Sequence, residues 1–398
     1  MTLAPSLNRI DDLVAATPEH RDRTVDFWRA AAIAVVVLWH WTFSVAQWNH
    51  GRLALPNPID AVPFAWTATW LLQVMPLFFL AGGYANRSSW LAAKRRGEAP
   101  RRWVVGRLAR LVKPCAVMAA AWLVVGSAAS ALLGVAPVWV WGRGIFVPLW
   151  FLAAFGFLSA ITPWLNTLHE RAGRWALVGM AAAAAGLDGA RFGAGWVGAG
   201  GVPNALAVFA LVHQAGFHWR DLVRTASGPA LRRCGMGLVG AGLVGLVVAT
   251  RFGPYGASMV ATNSSPSNMW PTTVPIAALG ALQLGVALWL RAPLSRLLAR
   301  PQLWRAVIVA NGLAMDIFAW HMTAFALVFL GWSAVGLPLP TQVSALWWAL
   351  RPLWLVLPGV VLAAVVWLVR RLAARSRPAA PDVTELVCGP EREGSGRL

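Results

Sequence analysis

The run VDFWRAAAIAVVVLWHWTFSVAQ at residues 25–47 constrains the chain more than any other stretch. It is long enough to span a bilayer, because about 20 apolar residues at 1.5 Å rise cross the ~30 Å hydrocarbon core. Yet Asp26, Arg29 and His40 stand inside it. An Arg or Asp at the centre of a transmembrane helix costs about 2.5–3.5 kcal/mol on insertion scales, so such groups turn toward a protein interior or a wet cavity. A helix turns 100° per residue, and the steps from Arg29 to His40 amount to about three turns plus 20°. The two side chains therefore share one stripe, ~16 Å apart along the axis, with Asp26 one turn before Arg29 on nearly the same side. A plainer alternative leaves Asp26 and Arg29 at the interface and has His40 bond a neighbouring helix.

Only 12% of the residues are charged and 58% are hydrophobic, against roughly 25% charged in soluble proteins. The chain is therefore an integral membrane protein with no room for a large soluble domain, and its 25 tryptophans fit the headgroup boundary. In a soluble protein a net charge of +19 would point to nucleic acid. Here the basic residues fall between apolar spans, where they orient the chain, and no nucleic-acid partner is expected. Cys115, Cys234 and Cys388 are scattered and give neither a disulfide framework nor a metal-ligand spacing, so no metal is expected.

Further spans are expected at residues 66–85, 103–135, 145–168, 175–187, 196–217, 234–250, 274–290, 306–330 and 345–369. Pro76 and the Gly82–Gly83 pair predict a kink and a close helix approach in the second. The fifth is the shortest and weakest. Alternate loops are basic: Arg87 to Arg102, Arg171 with Arg174, Arg220 to Arg233, Arg291 to Arg305, and Arg370 with Arg371. The intervening loops carry about one arginine each (Arg52, Arg143, Arg191, Arg251). The expected fold is thus an all-α integral membrane protein, a bundle of about ten transmembrane helices with both termini cytoplasmic. Residues 1–22 read as a polar cytoplasmic segment without signal-peptide features, 23–371 as the membrane domain and 372–398 as a disordered cytoplasmic tail.

Several other groups suit chemistry. His321 and His40 lie at similar distances along two spans that both run outward, so they reach similar depth past the midplane and can line one cavity; each can also satisfy a backbone carbonyl. Asp316 is rotated about 140° from His321 on its helix, so an Arg from another span is its expected partner. Asn311 fits a helix–helix polar contact. Arg107 and Arg110 share a face at the cytoplasmic start of the third span, and guanidinium forks suit phosphate, although ordinary positive-inside charge or contact with anionic lipid explains them too. His213 and Gln214 fall near the same membrane face. His20, His50, His169 and His218 fall in loops or span ends and are expected in solvent. The sequence has no nucleotide loop, HExxH or serine elbow, and the Gly-rich GAGWVGAGG near Trp196 fits helix packing.

Taken in order, RDRTVDFWRAAAIAVVVLWHW, PLFFLAGGYANRSSW, the Arg107–Arg110 pair, PLWFL at Pro148–Leu152, VHQ at Val212–Gln214, SNMWPTT and MDIFAWHM around His321 resemble the membrane acyltransferase-3 family in its actinobacterial form. The matching blocks run across residues 21–371. Members move acyl groups, often acetyl from acetyl-CoA, onto hydroxyls of sugars, glycans, lipids or antibiotics. The resemblance implies an acyltransferase of the bacterial plasma membrane, with acyl-CoA as donor, the bilayer around it and a carbohydrate, lipid or small-molecule hydroxyl as acceptor. It implies His40 as the base, with Arg29, Arg107 and Arg110 near the donor. Asp26 and His321 are expected to assist the chemistry, and His213 to join the donor face. Three positions depart from the family pattern: Ala30 replaces a Gly, Ala153-Ala154-Phe155 replaces a stretch that often holds a Glu, and Asp316 replaces a Ser or Thr. A transporter or flippase is the competing class, since ten helices with buried polar groups suit it as well; a structural or regulatory subunit is a third.

Overall fold

The computed structural model describes residues 11–12, 14–18, 21–50, 52–134, 142–146, 148–195, 201–262 and 267–375. The expected tail from residue 376 on, most of the N-terminal segment, His20, residues 196–200 and residues 263–266 lie outside them, while residues 372–375, expected in the disordered tail, are helical. Within the described residues the chain is almost wholly helical.

Helix α1 (Arg23–Thr42) is capped by Asp22, whose carboxylate accepts the Thr24 backbone N–H and suits the positive helix end. A hairpin of β1 (Gln47–Asn49) and β2 (Arg52–Ala54) then turns the chain back, with Gln47 opposite Ala54. The second span is two helices, α2 (Trp66–Leu72) and α3 (Met75–Arg95), broken at residues 73–74. Pro76 sits in the first turn of α3, where a missing N–H costs least. Helix α4 (Pro100–Leu133) follows. The fourth span, expected as one helix, is α5 (Leu149–Ala160) and α6 (Thr162–Ala172), bent by 58°. Pro163 cannot return a hydrogen bond to the Ser159 carbonyl, which accounts for the break.

The weak fifth span is a full helix, α7 (Arg174–Gly193). Helix α8 (Gly201–Thr225) continues through Arg220 and Arg224, which the sequence placed in a loop. Then come α9 (Gly228–Phe252), α10 (Val274–Trp289), α11 (Arg291–Leu297), α12 (Pro301–Ala334) and α13 (Ala345–Arg375). Among the described residues five spans are long and apolar enough to cross a membrane, or up to seven if each bent pair counts as one. Helices α1, α7 and α8 have the length, but they carry polar groups that are turned inward, among them Asp188, Asn204, His213 and Gln214.

Helix α3 is buried all round over residues 75–83, as a central helix must be. It meets α8 so closely that a Cβ at Gly83 would overlap the His213 carbonyl oxygen. Small residues permit such an approach where lipid supplies no hydrophobic drive between helices. By contrast, α4, α9 and α13 carry many exposed apolar side chains, the mark of a lipid-facing perimeter. Near the C-terminal end of α7 and the start of α8, buried Asp188 accepts hydrogen bonds from Asn204 Nδ2 (2.5 Å), the Tyr255 hydroxyl (2.9 Å) and the Val274 backbone N–H (2.7 Å). Burial and the adjacent Asp188 push the Tyr255 phenol above its ordinary pKa. This knot fastens the α9–α10 loop, which contributes Val260 and Met269 to the cavity at His40.

Candidate active site

Helices α1 and α12 run side by side and in parallel, joined by two polar rungs. At the first, Arg29 Nε donates to Asn311 Oδ1 (2.6 Å), and Asn311 Nδ2 donates to the carbonyls of Asp26 and Val307 (both 2.9 Å). At the second, His321 Nε2 lies 3.2 Å from His40 Nδ1, with ring centroids 5.1 Å apart. Trp41 Nε1 donates to the His321 carbonyl (3.1 Å) and braces that rung.

The hydrogen-bond pattern fixes the tautomers. His321 Nδ1 lies 2.7 Å from the Phe318 carbonyl oxygen, which only accepts, so Nδ1 carries the hydrogen. In the neutral ring Nε2 is then an acceptor, and His40 Nδ1 donates to it. Neutral His40 is left with its lone pair on Nε2. His40 lines a cavity of about 170 Å³ with Gln73, Trp150, Phe151 and Phe318. Of the two readings open for His321, a place in the same cavity or a bond to a backbone carbonyl, the structure has the second: it is wholly buried and meets the Phe318 carbonyl.

A second cavity, of about 140 Å³, opens beside the first half of α1 and is lined by Arg29, Arg107, Arg110, Gly82, Phe155 and Asn311. Its lining holds three guanidinium groups and no carboxylate. Arg107 is held from behind: its Nε donates to Asn86 Oδ1 (2.8 Å), and Asn86 Nδ2 donates to Ser159 Oγ (3.0 Å) and His213 Nε2 (3.1 Å). Asn86 and His213 are wholly buried. His213 thus reaches the arginine cavity only through Asn86. Arg110 is exposed, its Nε bonded to the Gly106 carbonyl (3.1 Å). Asp26 accepts from Arg21 Nε (2.7 Å) and lies 3.9 Å from Arg29 Nη2. It lines neither cavity, and ~21 Å of helix separates it from His40.

The two cavities share no lining residue. Where the sequence indicated one hollow along α1, phenyl rings divide it. Phe78 and Phe155 face the arginine side, while Phe151 and Phe318 face the histidine side. Phe78 meets Phe151 edge-on at 5.4 Å, and Phe151 meets Phe318 at 4.7 Å between centroids.

An acyltransferase-domain profile, that of the acyltransferase-3 family, matches residues 22–373. The chain belongs to the acyltransferase-3 family. No curated protein and no solved structure matches it. The matched region begins at the cap of α1 and ends within α13, so both cavities lie inside the acyltransferase-3 domain.

Other polar groups of this domain serve its frame. Asp316 meets Arg370 Nε of α13 at 2.7 Å, the arginine from another span that was one of its expected fates. His169, expected in solvent, is buried: its Nε2 lies 2.8 Å from Asp221 Oδ2, which also accepts from Arg87 Nη1 (2.7 Å), and Gln214 Nε2 lies 3.1 Å from its Nδ1. His218 packs against His169 at 4.3 Å between centroids, and its Nε2 is also buried. Among the described residues no group of His, Cys, Asp or Glu is arranged to hold a metal ion. Asn86 was missing from the expected site. Its signal was an amide inside an apolar span, beside the glycine pair that brings α3 against α8.

Proposed function

We propose that the chain is a multi-pass enzyme of the bacterial plasma membrane, with about ten spans and both termini cytoplasmic. It moves an acyl group, acetyl foremost, from acyl-CoA to a hydroxyl of a sugar, glycan, lipid or secondary metabolite. Residues 23–371 form the acyl-transfer domain, flanked by cytoplasmic segments at 1–22 and 372–398. One observation carries this: a histidine with a free Nε2 lone pair faces one cavity, and three arginines with no carboxylate among the lining residues face another along the same helix.

The CoA phosphates dock at Arg29, Arg107 and Arg110, whose forks bind phosphate oxygens bidentately. Asp26 and Asn311 hold Arg29 in place, and His213 holds Arg107 through Asn86. The ~16 Å from Arg29 to His40 suits an extended pantetheine arm, which passes where the phenyl rings turn aside. At the far end, neutral His40 takes the proton of the acceptor hydroxyl through Nε2 while that oxygen attacks the thioester carbonyl. The C–S bond then breaks, and the proton held by His40 passes to the leaving thiolate. His321 accepts from His40 Nδ1 and keeps the ring oriented, so it is a positioning residue.

Labelled acetyl-CoA given to the purified protein in the presence of hydroxyl acceptors tests this. His40→Ala is expected to reduce transfer to background, and transfer at the parent rate ends the base assignment. Arg110→Ala is expected to raise the donor KM more than it lowers kcat, because it removes uniform binding.

A further inference from the structure

Acyl transfer through a tetrahedral intermediate needs more than a base: negative charge builds on the thioester carbonyl oxygen and calls for preorganised donors. His40 cannot serve there while it holds the acceptor's proton. Of the other polar groups in its cavity, Thr69 is committed, since Oγ1 donates to the Trp66 carbonyl (2.5 Å) and accepts from the Met259 N–H (3.0 Å). Gln73 is different. It stands at the break between α2 and α3 and is fixed on three sides. Its backbone N–H bonds the Thr69 carbonyl (3.1 Å), its carbonyl accepts from Gln283 Nε2 (2.8 Å), and its Oε1 accepts the Met75 N–H (3.3 Å). Gln283 Oε1 accepts the next free N–H of α3, that of Leu77 (3.2 Å).

Two glutamines thus cap the start of α3, and the cap leaves one end of Gln73 unused. With Oε1 engaged by Met75, the Nε2 amide has no acceptor among the described residues, and Gln73 lines the cavity that His40 lines. The indoles of Trp39 and Trp150 line it too, but nothing comparable fixes their N–H groups. We propose that Gln73 is a catalytic residue whose Nε2–H donates to the thioester carbonyl oxygen as it becomes an oxyanion. This rests on the acyl-transfer assignment above. The acceptor oxygen bonds to the carbonyl carbon, the π pair moves to the carbonyl oxygen against Nε2–H, and the pair returns as the C–S bond breaks. Gln73 neither gains nor loses a proton, and the positive end of α3 reinforces it.

Gln73→Glu separates this role from capping, because a carboxylate still accepts the Met75 N–H but no longer donates. The expected result in the labelled acetyl-CoA assay is a fall in kcat of about 10²–10³-fold, the size typical of one lost oxyanion donor. In assays above the pH at which the new carboxyl ionises, the donor KM and the melting temperature are expected to stay near those of the parent. A parent-like kcat in Gln73→Glu shows that Gln73 only caps α3, and overturns the inference while the base assignment stands. Should that variant not accumulate, Gln73→Met, uncharged and of similar length, removes the cap together with the donor: the same fall in kcat is expected with a lower melting temperature, and a parent-like kcat overturns the inference in the same way. If the parent protein transfers no acyl group and hydrolyses no acyl-CoA, the acyl-transfer assignment fails and takes this inference with it.

Discussion

Asn86→Asp is the change that best isolates how the arginine cavity works. Asn86 Oδ1 accepts from Arg107 Nε at 2.8 Å, inside a buried triad with Ser159 and His213. An aspartate keeps that acceptor and strengthens it, because both partners are then charged. The rest of the triad can adjust: the Ser159 hydroxyl turns to donate, and His213 shifts its hydrogen from Nδ1, which lacks a partner, to Nε2. Folding is therefore expected to survive. What is lost is the positive charge that Arg107 presents to the cavity. A hydrogen bond to a charged group contributes about 1.5–3 kcal/mol, and about 1.4 kcal/mol is tenfold in affinity. Acetyl-CoA affinity, measured by calorimetry on the detergent-purified protein, is expected to weaken about 10- to 100-fold with the melting temperature retained. Binding at parent affinity would refute phosphate docking at Arg107.

Three further outcomes are expected. His321→Phe fills the same space but removes the acceptor for His40 Nδ1; kcat is expected to fall toward the 10²-fold scale of general-base catalysis while the donor KM holds, and an unchanged kcat would deny the pair a role. Gly83→Ala drives a methyl into the His213 carbonyl; the melting temperature in detergent is expected to drop in line with an overpacking cost of about 1–3 kcal/mol, and an unaltered melt would contradict the close α3–α8 contact. Asp316→Asn loses its pair with Arg370, which is partly exposed; a cost of at most about 1 kcal/mol in stability and parent turnover are expected, whereas lost turnover would place Asp316 in the chemistry.

The stripe of Arg29 and His40 and the matching depth of His40 and His321 were legible in the sequence because a helix converts spacing into geometry; the pairing of Arg29 with Asn311 was not. Arg29 and His40 repeat along one stripe, and Asn311 and His321 repeat at nearly the same interval on a parallel helix, so each pair meets its counterpart. Asp316 likewise had to look to another span, and it meets Arg370. What the sequence hid are contacts among three or more elements. Phe78, Phe151 and Phe318 come from α3, α5 and α12, and only the packed bundle shows that their rings partition the hollow. His169 looked solvated at the end of a span, yet the bend before α6 carries it to Asp221 on α8. Gln73 looked like any residue before a proline-containing turn, and its value as a cap depends on Gln283, far along the chain.

In the proposed mechanism one helix connects a phosphate-binding cavity to a histidine that performs the transfer. The most direct measurement is an experimental structure of the protein with a non-hydrolysable acetyl-CoA analogue. The nucleotide phosphates are expected against Arg29, Arg107 and Arg110, the arm threaded past Phe78 and Phe151, and the acyl carbon beside His40 Nε2. An analogue seated away from those arginines, or an arm that leaves His40 untouched, would contradict it.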